Sequence, residues 1–221
     1  MSSDKEFSVS DDAKALVNDI IERNNWDPVV DVRYSPGSQV GDGYASKHVA
    51  VEIVTSKETI RLFIKYALNT DTSSFESVAK FYANETFFYD IAYPAYSKFL
   101  TEKNVQDVFR NAPKCYGTSS KYIIALEDLK YKGFCLFDRT KIMDEKHISL
   151  MLKTLAKFHA TSFAFKEQNR EEYDKLVENC AGDLFSQQPK DAPTIKMFYE
   201  TLADTLGKLD PEEDNSGEVC W

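Results

Sequence analysis

Lys65 and Glu85 are the two residues of this sequence with the clearest capacity for joint chemistry. Lys65 closes a run, Thr59 to Tyr66, in which Ile60, Leu62 and Ile64 alternate with Arg61, Phe63 and Lys65. That two-residue period is the mark of a strand. Glu85 falls in a helical pattern that brings Val78, Phe81, Tyr82, Phe88, Tyr89 and Ala92 to one face. It sits inside the apolar stripe, four residues past Phe81 and three before Phe88. A carboxylate on an apolar face is costly unless a cation meets it. Lys65, late in an apolar strand, is the cation on offer. Such a pair holds an ammonium group in place for use on an anion such as a phosphate oxygen. The other reading is a Glu85 at the edge of the stripe that reaches water.

Two further stretches carry weaker signals. Gly41-Asp42-Gly43 lies between two strands, where glycines permit a backbone to approach phosphates closely. It lacks a full GxGxxG spacing, and a plain hairpin turn is the alternative. Tyr122 to Leu126 is a short, continuous apolar run of the kind buried strands show. It exits into Glu127-Asp128-Leu129, the form of a hinge between lobes whose backbone groups bond an adenine. A core strand ending in a solvated acidic turn reads the same way. The three histidines support no triad and no metal site. His159 is expected as a satisfied core histidine on a helix face, and His48 and His147 have surface-type neighbours. Cys115, Cys135, Cys180 and Cys220 match no zinc or CxxC spacing.

The elements that must position these residues follow from the same periodicities. A helix begins near Ser10, with Asp11 and Asp12 in its first turn and Ala13, Leu16, Val17, Ile20 and Ile21 as its stripe. Strands are expected from Val29 to Tyr34, up to about Val54 with Val49, Val51 and Ile53 on one face, and from Thr59 to Tyr66, as an antiparallel meander. Ser35-Pro36-Gly37 reads as a turn. A long helix runs from about Ser73 to Tyr93, where Pro94 breaks or kinks it. Ala112 to Ser119 reads as a loop. A helix from Asp144 to Lys166 is expected to bury Ile148, Met151, Leu152, Leu155 and Phe158, and another covers Thr194 to Leu209. The order is that of an α+β lobe followed by a mainly helical piece.

Composition bounds the function. The net charge is −9 and no basic block occurs, which argues against nucleic acid as a partner. The polar, acidic start and the lack of a long apolar run point to a cytosolic chain with no membrane span.

Taken in order, several segments resemble the insect ecdysteroid-kinase-like family, also called choline-kinase-like kinases. They are Gly41-Asp42-Gly43-Tyr44-Ala45-Ser46, Leu62-Phe63-Ile64-Lys65, Asn84-Glu85-Thr86-Phe87-Phe88-Tyr89 with Pro94 and Tyr96, and Pro113-Lys114-Cys115-Tyr116. Leu126-Glu127-Asp128-Leu129 with Gly133-Phe134 follows, then Asp138-Arg139 leading to Leu155-Ala156-Lys157-Phe158-His159-Ala160 and Ser162. The resemblance implies a protein-kinase-like fold of the choline kinase and aminoglycoside phosphotransferase type. It implies an antiparallel N-lobe over residues 1–126, a hinge at 127–130 and an incomplete helical C-lobe at 131–209; residues 210–221, by their acidic composition, are expected to be a disordered tail. It implies ATP as cofactor, with Lys65 orienting phosphates, Glu85 as its helix partner, Gly41, Gly43 and Ser46 in the phosphate-covering loop, and Glu127 and Leu129 at the adenine hinge. The family phosphorylates hydroxyls of small molecules, ecdysteroids being the named substrates, so a hydroxylated lipophilic acceptor is implied.

The family's HGDxWxxN-type catalytic loop and DFQ-type metal motif do not occur in these 221 residues. Gly182-Asp183-Leu184 imitates the first, but Ala181 precedes it and Gln188 stands where the metal-binding Asn belongs. No catalytic residue and no Mg²⁺ ligand is therefore assigned. The expectation is a truncated family member that at most binds nucleotide. The alternatives are a pseudokinase-type binding module, or a non-functional fragment with the apolar faces of its later helices exposed.

Overall fold

The structure is a computed structural model. It describes residues 7–38, 46–67, 75–120, 122–138, 140–180 and 193–208. The chain divides into one unit over Met1–Ala181 and a second over Gly182–Trp221. In the first unit, helix α1 (Asp11–Asn24) precedes strands β1 (Val29–Pro36), β2 (Ser46–Thr55) and β3 (Thr59–Ala67). Helix α2 (Phe75–Phe87), a π turn (Phe88–Ala92) and helix α3 (Tyr93–Glu102) follow. Strands β4 (Cys115–Ser119) and β5 (Ile123–Glu127), a 3₁₀ turn (Leu129–Lys132), and helices α4 (Glu145–Gln168) and α5 (Arg170–Asn179) complete it. The second unit contributes helix α6 (Pro193–Leu206). The five strands form one antiparallel sheet in the order β1-β2-β3-β5-β4.

The two faces of the sheet do different work. Val49, Val51 and Ile53 of β2, Ile60, Leu62 and Ile64 of β3, and Ile123 and Ala125 of β5 are buried on one face against Ala13, Leu16, Val17 and Ile20 of α1. The α1 N-terminus is capped by Ser10, whose Oγ accepts the Ala13 N–H at 3.3 Å. Left-handed Asn25 ends the helix at φ 47°. The opposite face carries Lys65, with Ile124, Leu126 and Tyr82 of α2 in a second, smaller apolar cluster.

Four expectations need correction. Residues 115–119 are a strand, not a loop. An edge strand needs only one pairing partner, and Gly117 leaves room for α1: a Cβ there would lie 2.9 Å from an Arg23 guanidinium nitrogen. Strand β1 runs on through Pro36, which pairs with Val49, so the turn begins later than Ser35. On α4, Ile148, Met151, Leu152 and Leu155 are 45%, 57%, 61% and 51% exposed. The helix instead buries Thr161 and Phe165, with Phe158 half-buried, because α3 meets its C-terminal half. His159 is likewise exposed rather than in the core.

Candidate functional site

Strand alternation puts Lys65 on the face that α2 covers. Its cross-strand neighbours are His48 on β2 and Ile124 on β5. The Lys65 ammonium donates to Glu85 Oε2 at 2.7 Å, and both side chains are 29% exposed. Glu85 is therefore held at the sheet and does not extend into solvent. The ammonium also lies over the Tyr82 ring, 5.4 Å from its centroid. Tyr82 and Glu85 are three apart on α2, so one helix face supplies both contacts. A lysine has three N–H donors; with one fixed by Glu85, the others are aimed by that contact.

The surroundings are sheltered. Burial pushes the Tyr82 hydroxyl up to about 12, the Ser46 hydroxyl opposes that, and the Glu85 carboxylate adds to it. The Tyr82 hydroxyl approaches Ser46 without closing an ordinary hydrogen bond to it. Tyr89 is also pushed up to about 12, first by burial and then by Glu85. Phe81 was expected on the same stripe but is 57% exposed. Tyr82 takes the inward position instead.

The end of α2 is anchored. Pro94 has no N–H to give the Asp90 carbonyl, and its ring crowds that carbonyl. The chain widens into a π turn, in which the Tyr93 N–H reaches back to the Phe88 carbonyl. Asp90 turns its carboxylate to the Thr118 hydroxyl of β4. At the start of the turn Phe88 packs edge-on to Phe158 at 5.9 Å, and beyond it Tyr96 and Phe99 pack on Phe165 at 5.4 and 5.3 Å. These contacts fix the axis on which Glu85 rides.

Glu127 and Leu129 lie at the other end of the same strands. Lys65 pairs with Ile124, whereas Glu127 pairs with Leu62, three residues and roughly 10 Å along β3. The Glu127 N–H is donated to the Lys114 carbonyl at 2.8 Å, and the Asp128 N–H to the Arg61 carbonyl at 3.1 Å. The Glu127 carboxylate pairs with Lys132, which holds its pKa below the usual range. None of the turn and loop bonds among the described residues takes the Glu127 carbonyl or the Leu129 amide, which makes these two the candidates to face a ligand. The latter opens a helical turn, where first-turn N–H groups have no partner within the helix. Ser46 opens β2 near Tyr82. Gly41 and Gly43 lie outside the described residues.

Between the two ends stands a pair of rings that sequence reasoning passed over. His48 and Phe63 pack with centroids 5.1 Å apart on the Lys65 face, and Ser38 Oγ lies 2.9 Å from His48 Nδ1. Phe63 belongs to neither apolar cluster. The signal was available, because alternation groups Phe63 with Lys65 and an aromatic on the polar face of a strand is unexpected in a plain core. Among the described residues, no three His, Cys, Asp or Glu side chains are grouped to hold a metal ion. No described helix is long and apolar enough to cross a membrane.

Comparison with known proteins adds one finding. A family model described as the ecdysteroid kinase-like family matches residues 40–218, a stretch that contains Lys65, Glu85 and the segment after β5. No curated protein and no solved structure matched the chain.

Proposed function

The chain belongs to the ecdysteroid kinase-like family, and on that footing we propose that it binds ATP on the Lys65 face of its sheet. The observation that carries this reading is the 2.7 Å contact between Lys65 and Glu85. In kinase-type sites such a strand–helix pair orients a lysine toward nucleotide phosphates. The roughly 10 Å from Lys65 to the Glu127–Leu129 segment leaves room for a base and sugar between them. The half-buried rings of His48 and Phe63 offer a surface for the base to stack on. Lys65, aimed by Glu85, would hold the phosphates, with Ser46 at the loop end. The Glu127 carbonyl and Leu129 amide would meet the base edge.

Binding, not turnover, is the activity proposed for these residues. ATP supplies a transferable phosphoryl group, and the family's acceptors are hydroxyls of small lipophilic molecules. The residues that position such an acceptor and hold Mg²⁺ belong to motifs that this sequence does not contain. The described side chains offer no metal cluster, so no step is assigned to Mg²⁺. A nucleotide-binding, pseudokinase-type module in the cytosol is the form that fits best. Thermal melting with ATP tests it. At a hundredfold excess over Kd, stabilisation of about 2.7 kcal/mol is expected in the native sequence, and none in Lys65→Ala. An unchanged melting temperature at millimolar ATP overturns the proposal.

A further inference from the structure

A second network of contacts surrounds the turn that follows β5. Arg61 of β3 donates from Nε to Glu52 Oε1 of β2 at 3.1 Å. The Arg61 guanidinium lies over the Tyr131 ring, 4.1 Å from its centroid. The Tyr131 hydroxyl donates to the same Glu52 oxygen at 3.3 Å. Next to it, Lys130 Nζ donates to the Gly37 carbonyl at 2.8 Å. The Asp128 carboxylate accepts the Lys130 N–H at 3.0 Å, and the Asp128 N–H is held by the Arg61 carbonyl. The turn is thus tied to β2, to β3 and to Gly37 just past β1, by contacts that involve neither Lys65 nor Glu85. Glu52 and Arg61 are 29% and 35% exposed, so the bond between them is partly sheltered from water.

We propose that Arg61 and Tyr131 are positioning residues that set base selectivity, by fixing the segment whose Glu127 carbonyl and Leu129 amide read the base. The inference rests on the nucleotide-binding reading above. Its chemistry is one of polarity. Adenine presents an amino donor at position 6 beside an acceptor at N1. Hypoxanthine presents a carbonyl at 6 and an N–H at 1, the reverse order. A fixed acceptor–donor pair matches the first and leaves unpaired polar groups with the second, and a site built to hydrogen-bond one partner rejects its mismatch strongly. A segment free to shift loses that discrimination. The stacked guanidinium and its shared carboxylate are what prevent the shift. Lysine would not reproduce the planar stack at this position.

The test compares dissociation constants for ATP, ITP and inorganic tripolyphosphate in the native protein, Arg61→Gln, Tyr131→Ala and Tyr131→Phe. The native protein should prefer ATP to ITP by about tenfold or more. In Arg61→Gln and Tyr131→Ala the preference should collapse to within about threefold, while tripolyphosphate affinity, which reads Lys65, stays unchanged. Tyr131→Phe keeps the ring under the guanidinium and should retain the preference. Loss of stability alone does not move the ATP-to-ITP ratio, so a merely structural role would leave it intact. A native ratio preserved in Arg61→Gln and Tyr131→Ala overturns the inference while leaving the nucleotide site standing. Tripolyphosphate binding with no preference for ATP over ITP does the same. Failure of the native protein to bind either ATP or tripolyphosphate overturns the nucleotide site, and this inference with it.

Discussion

His48 lies directly across β2 and β3 from Lys65, on the face that α2 covers. Directly opposed residues of an antiparallel pair share a face with their Cβ atoms about 5 Å apart. The Lys65 ammonium meets the Tyr82 ring and the Glu85 carboxylate it is bonded to, while the His48 imidazole packs on Phe63 next along the same face. The consequences of this arrangement can be measured one at a time.

Removing one member of the pair should cost more than removing both. Lys65→Met leaves a largely buried Glu85 carboxylate without its cation, at about 1–3 kcal/mol. The double change Lys65→Met with Glu85→Leu leaves no orphaned charge and should recover most of that loss. A double-mutant cycle by urea denaturation reads the coupling. Strictly additive effects would show that the 2.7 Å contact is not formed in solution.

Two glycines should differ in tolerance. At Gly37 a Cβ would lie 2.9 Å from the backbone of His48 and Val49, which cannot move without breaking the β1–β2 pairing. At Gly117 the contact at the same distance is the end of the Arg23 side chain, which can swing away. Gly37→Ala is therefore expected to destabilise by about 1–3 kcal/mol, and Gly117→Ala by less than about 1 kcal/mol. Equal melting temperatures for the two variants would contradict this.

Alkaline pH should weaken the fold. Burial pushes Cys115 from 9.0 up to about 11, and Tyr82 and Tyr89 from 10.0 up to about 12. In the unfolded chain these groups lose their protons first, so between the two values the folded state binds more protons and stability falls as pH rises. The decline should begin near pH 9 and continue to about pH 12, with the Cys115→Ala variant flatter at its lower end. A melting temperature constant over that window would rule out the burial of these groups.

The apolar face of α4 offers a fourth check. Leu152 and Leu155 are 61% and 51% exposed. Replacing both with Gln should change stability by no more than about 0.5 kcal/mol per site and should reduce self-association, since exposed apolar surface favours it. A loss of several kcal/mol would mean that this face is covered in the folded protein.

The sheet was largely legible because its two faces differ. Ile60, Leu62 and Ile64 meet α1, while Arg61, Phe63 and Lys65 do not, and that contrast is written as alternation. The Lys65–Glu85 pairing was legible for a related reason: a carboxylate inside an apolar stripe demands a cation. What stayed hidden depends on neighbours. Strand β4 exists through its pairing with β5, and its own residues, Cys115 to Ser119, show no period. The stripe of α4 reveals an apolar face but not what lies against it, so it points to Ile148 and Leu155, whereas the later Thr161 and Phe165 are the buried residues. The end of β5 could be located from Glu127, yet which of its backbone groups are already taken follows from Lys114 and Arg61, residues far away in sequence. The ring pair of His48 and Phe63 was missed because each was read on its own strand.

Nucleotide phosphate binding by the Lys65 ammonium, aimed by Glu85, is open to direct measurement. Isothermal titration of ATP into the native protein, Lys65→Met and Glu85→Gln tests it most directly. A single site is expected in the native protein, no detectable binding in Lys65→Met, and weakened binding in Glu85→Gln, with all three folded by circular dichroism. Equal ATP affinity in the native protein and Lys65→Met would contradict it.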